Sequence, residues 1–513
     1  MKSVSRKKAR KLLCIIIVLL ISGSSVCFLS CNEQKEPVFP SYKEYRKQEF
    51  DRLAAIREDK AQKLRQWLSG KQSLLESRDT NSRLTEFFEK LEKELSGGVD
   101  RKRFLELNRE IEHFFVYELG AFYDLLFIDA DEKVFYSVKM EDDFQSSLKT
   151  GPYAETRLAE IIRKSPEKTE FVDFQYYGAS DEPAAFYVLP VRKDGRYKGA
   201  IALQLSINHL NQLLTDRTGL GKTGEAYLVN NQHLMLTESR FIGDSTVLSK
   251  KIDTSAVKKM SGESGRKVIT DYRDEEVLST FCGFPVGRTN WRIIVEKDEN
   301  EVITDYYRKY SSELYPLMAD AVQRQTAGKK KAAENELSPG REAKRVDVSE
   351  LVKADNRKEL FTPGLATCTG VVAHGDSDEF AYMAHLSPTD KSYGASGNQD
   401  GDFRSKDLVS LMLRRIQYFE IKPCQLGELR FMIAATHTRS IRRIIEKLTQ
   451  EGILLSQIKA GILEDASSAS LFYQTTDNCL VSIWHTDDEK HSYRVDFDEL
   501  TNLGTLTRKL TKN

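Results

Sequence analysis

The period of the apolar residues changes near Ala121, and that change decides what the chain can fold into. Before it, EYRKQEFDRLAAIREDKAQKLRQWLSGKQSLLESR, TNSRLTEFFEKLEKEL and RKRFLELNREIEHFFVYEL carry Leu, Ile and Phe at helical spacing among dense charge, which predicts long amphipathic helices. Gly97-Gly98 and Asp79-Thr80-Asn81 punctuate them, and Thr80 or Asn81 supplies a cap. Beyond Ala121, FYDLLFIDADEKVFYSV alternates with a period of two around a D-A-D-E turn, so a sheet begins there. AAFYVLPVRKDGRYKGAIALQLSI and VLSTFCGFPVGRTNWRIIVEKD each read as strand, tight turn and strand. The expected fold class is α+β, with a long N-terminal helix and two modules of similar construction, each a hairpin-rich antiparallel sheet.

With 513 residues, 40% of them hydrophobic, the chain can bury more than one core. Lys+Arg and Asp+Glu both count 77, so net charge gives no argument for nucleic acid or for an anionic membrane surface, and no nucleic-acid partner is expected. The one extended apolar stretch is MKSVSRKKARKLLCIIIVLLISGSSVCFLSC: basic residues, an apolar run from Leu12 to Ile21, then small residues. It reads as an export signal over residues 1–31. FLSC is similar to a relaxed lipobox with Cys31 as the lipidated residue, and an uncleaved membrane anchor or plain secretion stays open beside it. All three place the remainder outside the cytoplasm, in the cell envelope if anchored. Seven cysteines are too few for a disulfide framework; outside the signal stand Cys282, Cys368, Cys424 and Cys479.

Three segments carry a family resemblance: FVDFQYYGASDEPAAFYVLPV (171–191), GLGKTGEAYLVNNQHLMLTESRF (219–241) and FPVGRTNWRIIVEKDENEV (284–302). They resemble the double Cache (dCache) sensor domain of chemoreceptors, sensor kinases and extracytoplasmic receptors, over roughly residues 42–305. The resemblance implies two PAS-like modules, a distal one at about 115–210 and a proximal one at about 215–305, with a small-molecule pocket in the distal one. Tyr136, Asp173, Phe174, Tyr176, Tyr177, Phe186 and Tyr187 are the expected pocket residues, aromatic walls with a few polar groups. The Arg-x-Trp-Tyr run typical of the amino-acid-binding subgroup does not occur between Tyr136 and Pro190, so an α-amino acid is disfavoured unless Arg157 or Arg163 substitutes. Tyr227, Arg240 and Trp291 match family positions where structural roles are expected. The family's long N-terminal helices often pair, which makes a homodimer an expected assembly.

Residues 306–347 turn polar and read as a solvated helix running into a linker. From Val348 to Asn513, LATCTGVVAHG, DEFAYMAHLSP, ELRFMIAATHT and CLVSIWH read as strands, and KDLVSLMLRRIQYF and RSIRRIIEKLTQEGI as helices: a separate α+β domain. A cysteine nucleophile needs a nearby imidazole, which needs a third group to hold its ring. Cys368 and His385 lie on two apolar runs joined by a turn, so their side chains are expected to meet across the pair. TPGLATCTGVV followed by MAHLSP resembles the start of CheD, the chemoreceptor glutamine deamidase. That resemblance implies a triad of Thr362, Cys368 and His385, with no metal and no cofactor. GLATC stands where the family has G-L-G-S-C, IAATH replaces its Gly-Gly, and its Gly-Gly-x-x-Gly-Arg has no counterpart, which puts substrate identity in doubt.

The expected function is a membrane-anchored extracytoplasmic sensor, binding a small molecule through the dCache region and deamidating glutamine on a protein partner such as a receptor. The alternative is a non-enzymatic sensor or solute-binding lipoprotein whose CheD-like domain is a docking module.

Overall fold

The computed structural model describes residues 39–96, 100–120, 122–254, 264–328, 331–332, 343–354, 359–375, 380–387, 407–421, 423–464, 466–474, 479–485, 492–496 and 502–511. The export signal with Cys31, Cys14 and Cys27 lies outside them. Among the described residues no helix is long and apolar enough to cross a membrane.

Helix α1 (Tyr42–Glu76) begins with a capping box: Ser41 Oγ accepts from the Glu44 amide at 3.3 Å while the Glu44 carboxylate accepts from the Ser41 amide at 2.9 Å. Leu53, Leu64 and Leu75 recur every third turn and are fully buried, so one stripe of α1 faces the protein along its length. Lys60 reaches through this stripe to the last turn of α5 (Asn208–Thr215), donating to the carbonyls of Leu213 at 2.8 Å and Asp216 at 2.9 Å. There its charge meets the helix's unpaired carbonyl end. Helices α2 (Arg78–Ser96) and α3 (Arg101–Phe114) follow, α3 ending in a π-helical turn, Phe115–Leu119.

The distal module is a five-stranded antiparallel sheet, order β2-β1-β5-β4-β3, built from β1 (Asp124–Asp129), β2 (Val134–Ser137), β3 (Glu170–Tyr177), β4 (Glu182–Lys193) and β5 (Arg196–Ser206). Helix α4 (Arg157–Arg163) covers one face over Leu126, Ile128, Val134, Val172, Ala200 and Ala202. The proximal module repeats the plan with four antiparallel strands, order β6-β9-β8-β7: β6 (Glu225–Val229), β7 (Gly265–Thr270), β8 (Glu276–Val286) and β9 (Thr289–Asp298).

Helices α6 (Glu299–Lys309) and α7 (Ser311–Gly328) lead out of the second sheet. The sequence reads this stretch as solvated. Instead Leu314, Tyr315, Met318, Ala321 and Val322 are buried, because their helical spacing forms an apolar stripe that the polar residues around them hide.

The C-terminal region has two sheets. One runs β10-β20-β19-β18-β13-β11, from β10 (Lys331–Ala332), β11 (Lys344–Arg345), β13 (Glu359–Thr362), β18 (Ser468–Gln474), β19 (Cys479–His485) and β20 (Ser492–Asp496). The other runs β12-β15-β14-β16-β17, from β12 (Glu350–Ala354), β14 (Thr369–His374), β15 (Ala381–Leu386), β16 (Arg430–Ala435) and β17 (Ile458–Ile462). A buried cluster including Leu360, Leu365, Val372, Met383, Leu471 and Tyr473 joins the two. Helices α8 (Leu408–Phe419) and α9 (Thr438–Gln450) pack on the second sheet, and α10 (Leu503–Leu510) packs on α6 and α7.

Hydrogen bonds tie this region to α6 and α7. Arg308 donates to the Thr449 carbonyl at 2.7 Å, the Leu455 amide donates to Thr304 at 3.0 Å, and the Tyr315 hydroxyl donates to the Thr438 carbonyl.

Two buried groups give predictions. Lys297, whose side chain is 2% exposed, faces Asp305 at 2.6 Å, Glu301 at 3.4 Å and Glu49 at 3.9 Å. Lys297→Met removes the buried cation these carboxylates share, leaving Glu49 with Arg52 at 2.7 Å and Asp305 with Arg308 at 2.9 Å, and is expected to destabilise the chain by about 3 kcal/mol in chemical denaturation; a loss under about 1 kcal/mol would show that those arginines compensate. Glu296 accepts from the Tyr227 hydroxyl at 2.9 Å and is pushed by burial up to about 8. Between the ordinary carboxylate range and about 8 the folded chain keeps a proton that the unfolded chain has lost, so stability falls as pH rises across that window. The melting temperature of the Glu296→Gln variant should fall less over the same interval.

Candidate functional site

Thr362 ends β13 in the first C-terminal sheet and His385 sits in β15 of the second, so their contact bridges the two sheets. The hydroxyl of Thr362 lies 2.7 Å from His385 Nδ1 and 2.7 Å from the Val346 carbonyl. It has one proton, and a carbonyl can only accept, so that proton goes to Val346 and Thr362 accepts from Nδ1–H. The lone pair of the ring is thereby placed on Nε2. Thr362 is 0% and His385 1% exposed, and Nε2 has no hydrogen-bond partner among the described residues. Burial holds His385 below the ordinary histidine range, with the Asp347 carboxylate opposing.

Cys368 stands one residue before β14, half-buried against the inter-sheet core and not in a disulfide. In the β14–β15 register it is Gly370 that faces His385. Cys368 is therefore diagonal to the imidazole, a separation of about 7–8 Å between such positions. The expected meeting across the pair is not made, since no hydrogen bond joins Sγ to Nε2. Burial pushes the thiol up, with the Thr367 hydroxyl opposing.

A side chain at Gly370 would bring a Cβ to 2.1 Å from Leu471 Cδ1, so this position needs glycine for packing. Gly364 has φ of 71°, a left-handed conformation that starts the turn into Cys368. The turn is anchored by the Leu365 amide on the Ala469 carbonyl at 2.8 Å and by the Thr436 hydroxyl on the Ala366 carbonyl. His374, an alternative imidazole, bonds the Gly375 carbonyl at 2.9 Å and packs on Tyr473.

The seven pocket residues expected in the distal module do not converge. Tyr177 and Phe186 share the face covered by α4, with ring centroids 5.0 Å apart. Tyr136 and Tyr187 point the other way: the Tyr136 hydroxyl donates to Asn108 at 2.9 Å and the Tyr187 hydroxyl to the Leu68 carbonyl at 3.2 Å. Asp173 accepts from Trp291 Nε1 at 2.8 Å and Thr289 at 3.0 Å, and Phe174 packs on the same indole, so this pair clasps the two modules together. Tyr176 is 61% exposed. Arg157 and Arg163 are turned to the carbonyls of Phe174 and Ala154.

Sequence reasoning missed the polar end of the covered face. Asp124, Ser137, Gln204 and Glu182 occupy strand positions in the same register as Leu126, Ala202 and Ala184, and Asp143 reaches in from the covering segment to accept from Tyr177 at 2.7 Å. The signal was available: in DLLFID the first acid falls where the alternation calls for an inward-facing residue.

Several solved structures are similar to this chain. An extracellular ligand binding receptor from Desulfohalobium retbaense matches at 11% identity and TM-score 0.34, over 47% of this chain and 39% of that one, so this chain spans well under half of that receptor's length. The ligand binding domain of the Pseudomonas aeruginosa amino acid chemoreceptor PctB, in complex with L-Arg, matches at 16% identity and TM-score 0.34, over 49% and 95%. That of the Pseudomonas fluorescens chemoreceptor CtaA, in complex with L-serine, matches at 16% and 0.34, over 50% and 99%. The profile described as Cache domain matches residues 41–305, a little over half of the sequence and the whole two-module region from the cap of α1 to α6. The chain belongs to the Cache domain family.

Proposed function

We propose that the chain is an extracytoplasmic, envelope-anchored sensor whose distal module binds a small molecule and whose C-terminal domain, 348–513, is a CheD-like cysteine amidohydrolase acting on protein glutamine. The observation that carries the second half is the Thr362–His385 hydrogen bond, which orients an unpartnered Nε2 toward accepting a proton on the sheet face where Cys368 lies. In this reading Nε2 takes the Cys368 proton, Sγ attacks the carboxamide carbon, and the imidazolium returns the proton to the departing ammonia. Water then cleaves the thioester to leave glutamate. The Leu365 and Ala366 amides are taken by the Ala469 and Gly364 carbonyls, each at 2.8 Å, so the amides of Thr367 and Cys368 are the donors we assign to the oxyanion. The distal-module half rests on the Cache family, whose ligand-bound relatives include the amino acid chemoreceptor PctB. Anchoring rests on the N-terminal sequence alone, through lipid on Cys31 or through the apolar segment itself.

A docking role without catalysis is the second reading. It is favoured by the burial that raises the Cys368 thiol and by the missing thiol–imidazole bond.

The test is mass-spectrometric detection of glutamine-to-glutamate conversion in helical receptor fragments incubated with the full chain. Wild type is expected to convert them, Cys368→Ala to abolish conversion, and Thr362→Val to slow it by roughly 10²-fold while moving the pH profile, because the tautomer is no longer fixed. Fragment capture that survives Cys368→Ala, together with a Cys368 alkylation rate indifferent to His385→Ala at every pH, would establish the docking reading instead.

A further inference from the structure

Helix α9 is fastened to α6 and α7 at both of its ends. At the C-terminal end Arg308 donates to the Thr449 carbonyl at 2.7 Å. Gly452, with φ of 99°, closes the helix there: its amide donates to the same carbonyl at 3.1 Å, and the Ile453 amide donates to Leu448 at 3.0 Å. Lys222 packs on this glycine so closely that a Cβ at the position would strike its Nζ. A guanidinium and an ammonium thus stand at the negative end of the helix. Further along, the Ser311 hydroxyl donates to Glu446 at 3.1 Å, and at the N-terminal end the Tyr315 hydroxyl donates to the Thr438 carbonyl. Lys222 and Arg308 are themselves tied to α6, since Glu301 accepts from the Lys222 amide at 2.9 Å and Asp305 from Arg308 at 2.9 Å. Helix α6 continues β9 without a break, Glu299 following Asp298. A shift of the proximal sheet therefore reaches α9 through α6 at one end and through α7 at the other.

The N-terminal end of α9 adjoins Cys368. Thr436, 1% exposed, lies in the corner between β16 and α9, and its hydroxyl donates to the Ala366 carbonyl. Ala435, the last residue of β16, pairs with Thr369, the first of β14. Cys368 lies between these two attachments, so the corner sets the path of the chain that carries the thiol. Along that path Sγ makes no hydrogen bond to His385 Nε2. Ile441, Ile444, Ile445 and Leu448 form one buried stripe of α9. A helix packed in this way shifts as a unit rather than bending between its ends.

Resting on the reading of the C-terminal site above, we propose that α9 restrains that site: pinned by Tyr315 at one end and Arg308 at the other, it keeps Thr436 on Ala366 and holds the Cys368 turn back from His385, and displacement of α6 and α7 releases it. Tyr315 and Thr436 are positioning residues, acting on the thiol only through the turn. Coupling between two regions needs one element whose placement both of them bias, and α9 is that element.

The test is the rate at which iodoacetamide alkylates Cys368 in the full chain, read by peptide mass spectrometry across the pH range in which the thiol titrates. Tyr315→Phe and Thr436→Val each remove one hydroxyl at nearly constant shape. Each is expected to raise the rate at neutral pH roughly tenfold, by moving the rise of the pH profile down by about one unit as Sγ gains the imidazole. The gain should vanish in a His385→Ala background. The double variant should be no faster than the faster single one, because both act through α9. Arg308→Gln, at the far end of the helix, should move the rate the same way; its side chain is 41% exposed, so it carries the test if Tyr315→Phe fails to melt cooperatively. Tyr306→Phe is the control, since that hydroxyl donates to the Pro40 carbonyl on the side of α6 that packs on Tyr42 and Tyr45, and it should change nothing. An unchanged rate and pH profile in all three variants, a gain that survives loss of His385, or an equal gain in Tyr306→Phe would overturn the restraint. Glutamine conversion is scored separately. Conversion by a chain whose thiol is indifferent to these variants overturns the restraint and leaves the deamidase reading standing, whereas rates that respond as expected without any conversion uphold the restraint and overturn the deamidase.

Discussion

The ammonium of Lys297 is where the sensor's parts meet. It projects from the last strand of the proximal sheet between Glu49 of the long helix and Glu301 and Asp305 of the exit helix. Glu301 in turn accepts from the amides of Lys222 and Thr223 at 2.9 and 2.6 Å, which fixes the loop entering the proximal module. A buried cation with too few partners would expel itself toward water, and buried carboxylates without it would take up protons. This charge thus holds α1, the sheet and α6 together, beside the Arg46–Glu299 pair at 3.0 Å, and the C-terminal region is joined to that frame through Arg308 among other bonds.

Much of this architecture was legible in the sequence because it is written in periodicity. The shift near Ala121 and the turn residues between strands are local signals, and local physics reads them, whereas the cap expected at Thr80 or Asn81 falls inside α2, where the Thr80 amide instead donates to Ser77 Oγ at 3.3 Å. Asp173 shows where such reading stops. An acid among aromatics looks like a ligand group, yet its partners Thr289 and Trp291 stand more than a hundred residues away on another module. Nothing in its neighbourhood announces that. Tyr136 and Tyr187 fail for a related reason: an inward-facing aromatic on a sheet that is covered on both sides gives no sign of which cover it meets.

The C-terminal site divides the same way. The bond between Thr362 and His385 joins two sheets and so has no periodic signature along the chain. The register opposing Gly370 to His385, and the steric need for glycine there, follow from Leu471 arriving from the facing sheet. The register within the second sheet, which puts Cys368 diagonal to His385, sets the spacing of those two positions.

The buried stripe of α7 has a consequence for how such a protein is inherited. Leu314, Met318 and Val322 are covered by the folded chain, and Tyr315 donates to Thr438, two residues from the Thr436 hydroxyl that holds the turn of Cys368. A recombination event that swapped the sensor for another would strip this stripe and the turn's support together. The two halves are not interchangeable cassettes, and variation in one is constrained by the shape of the other.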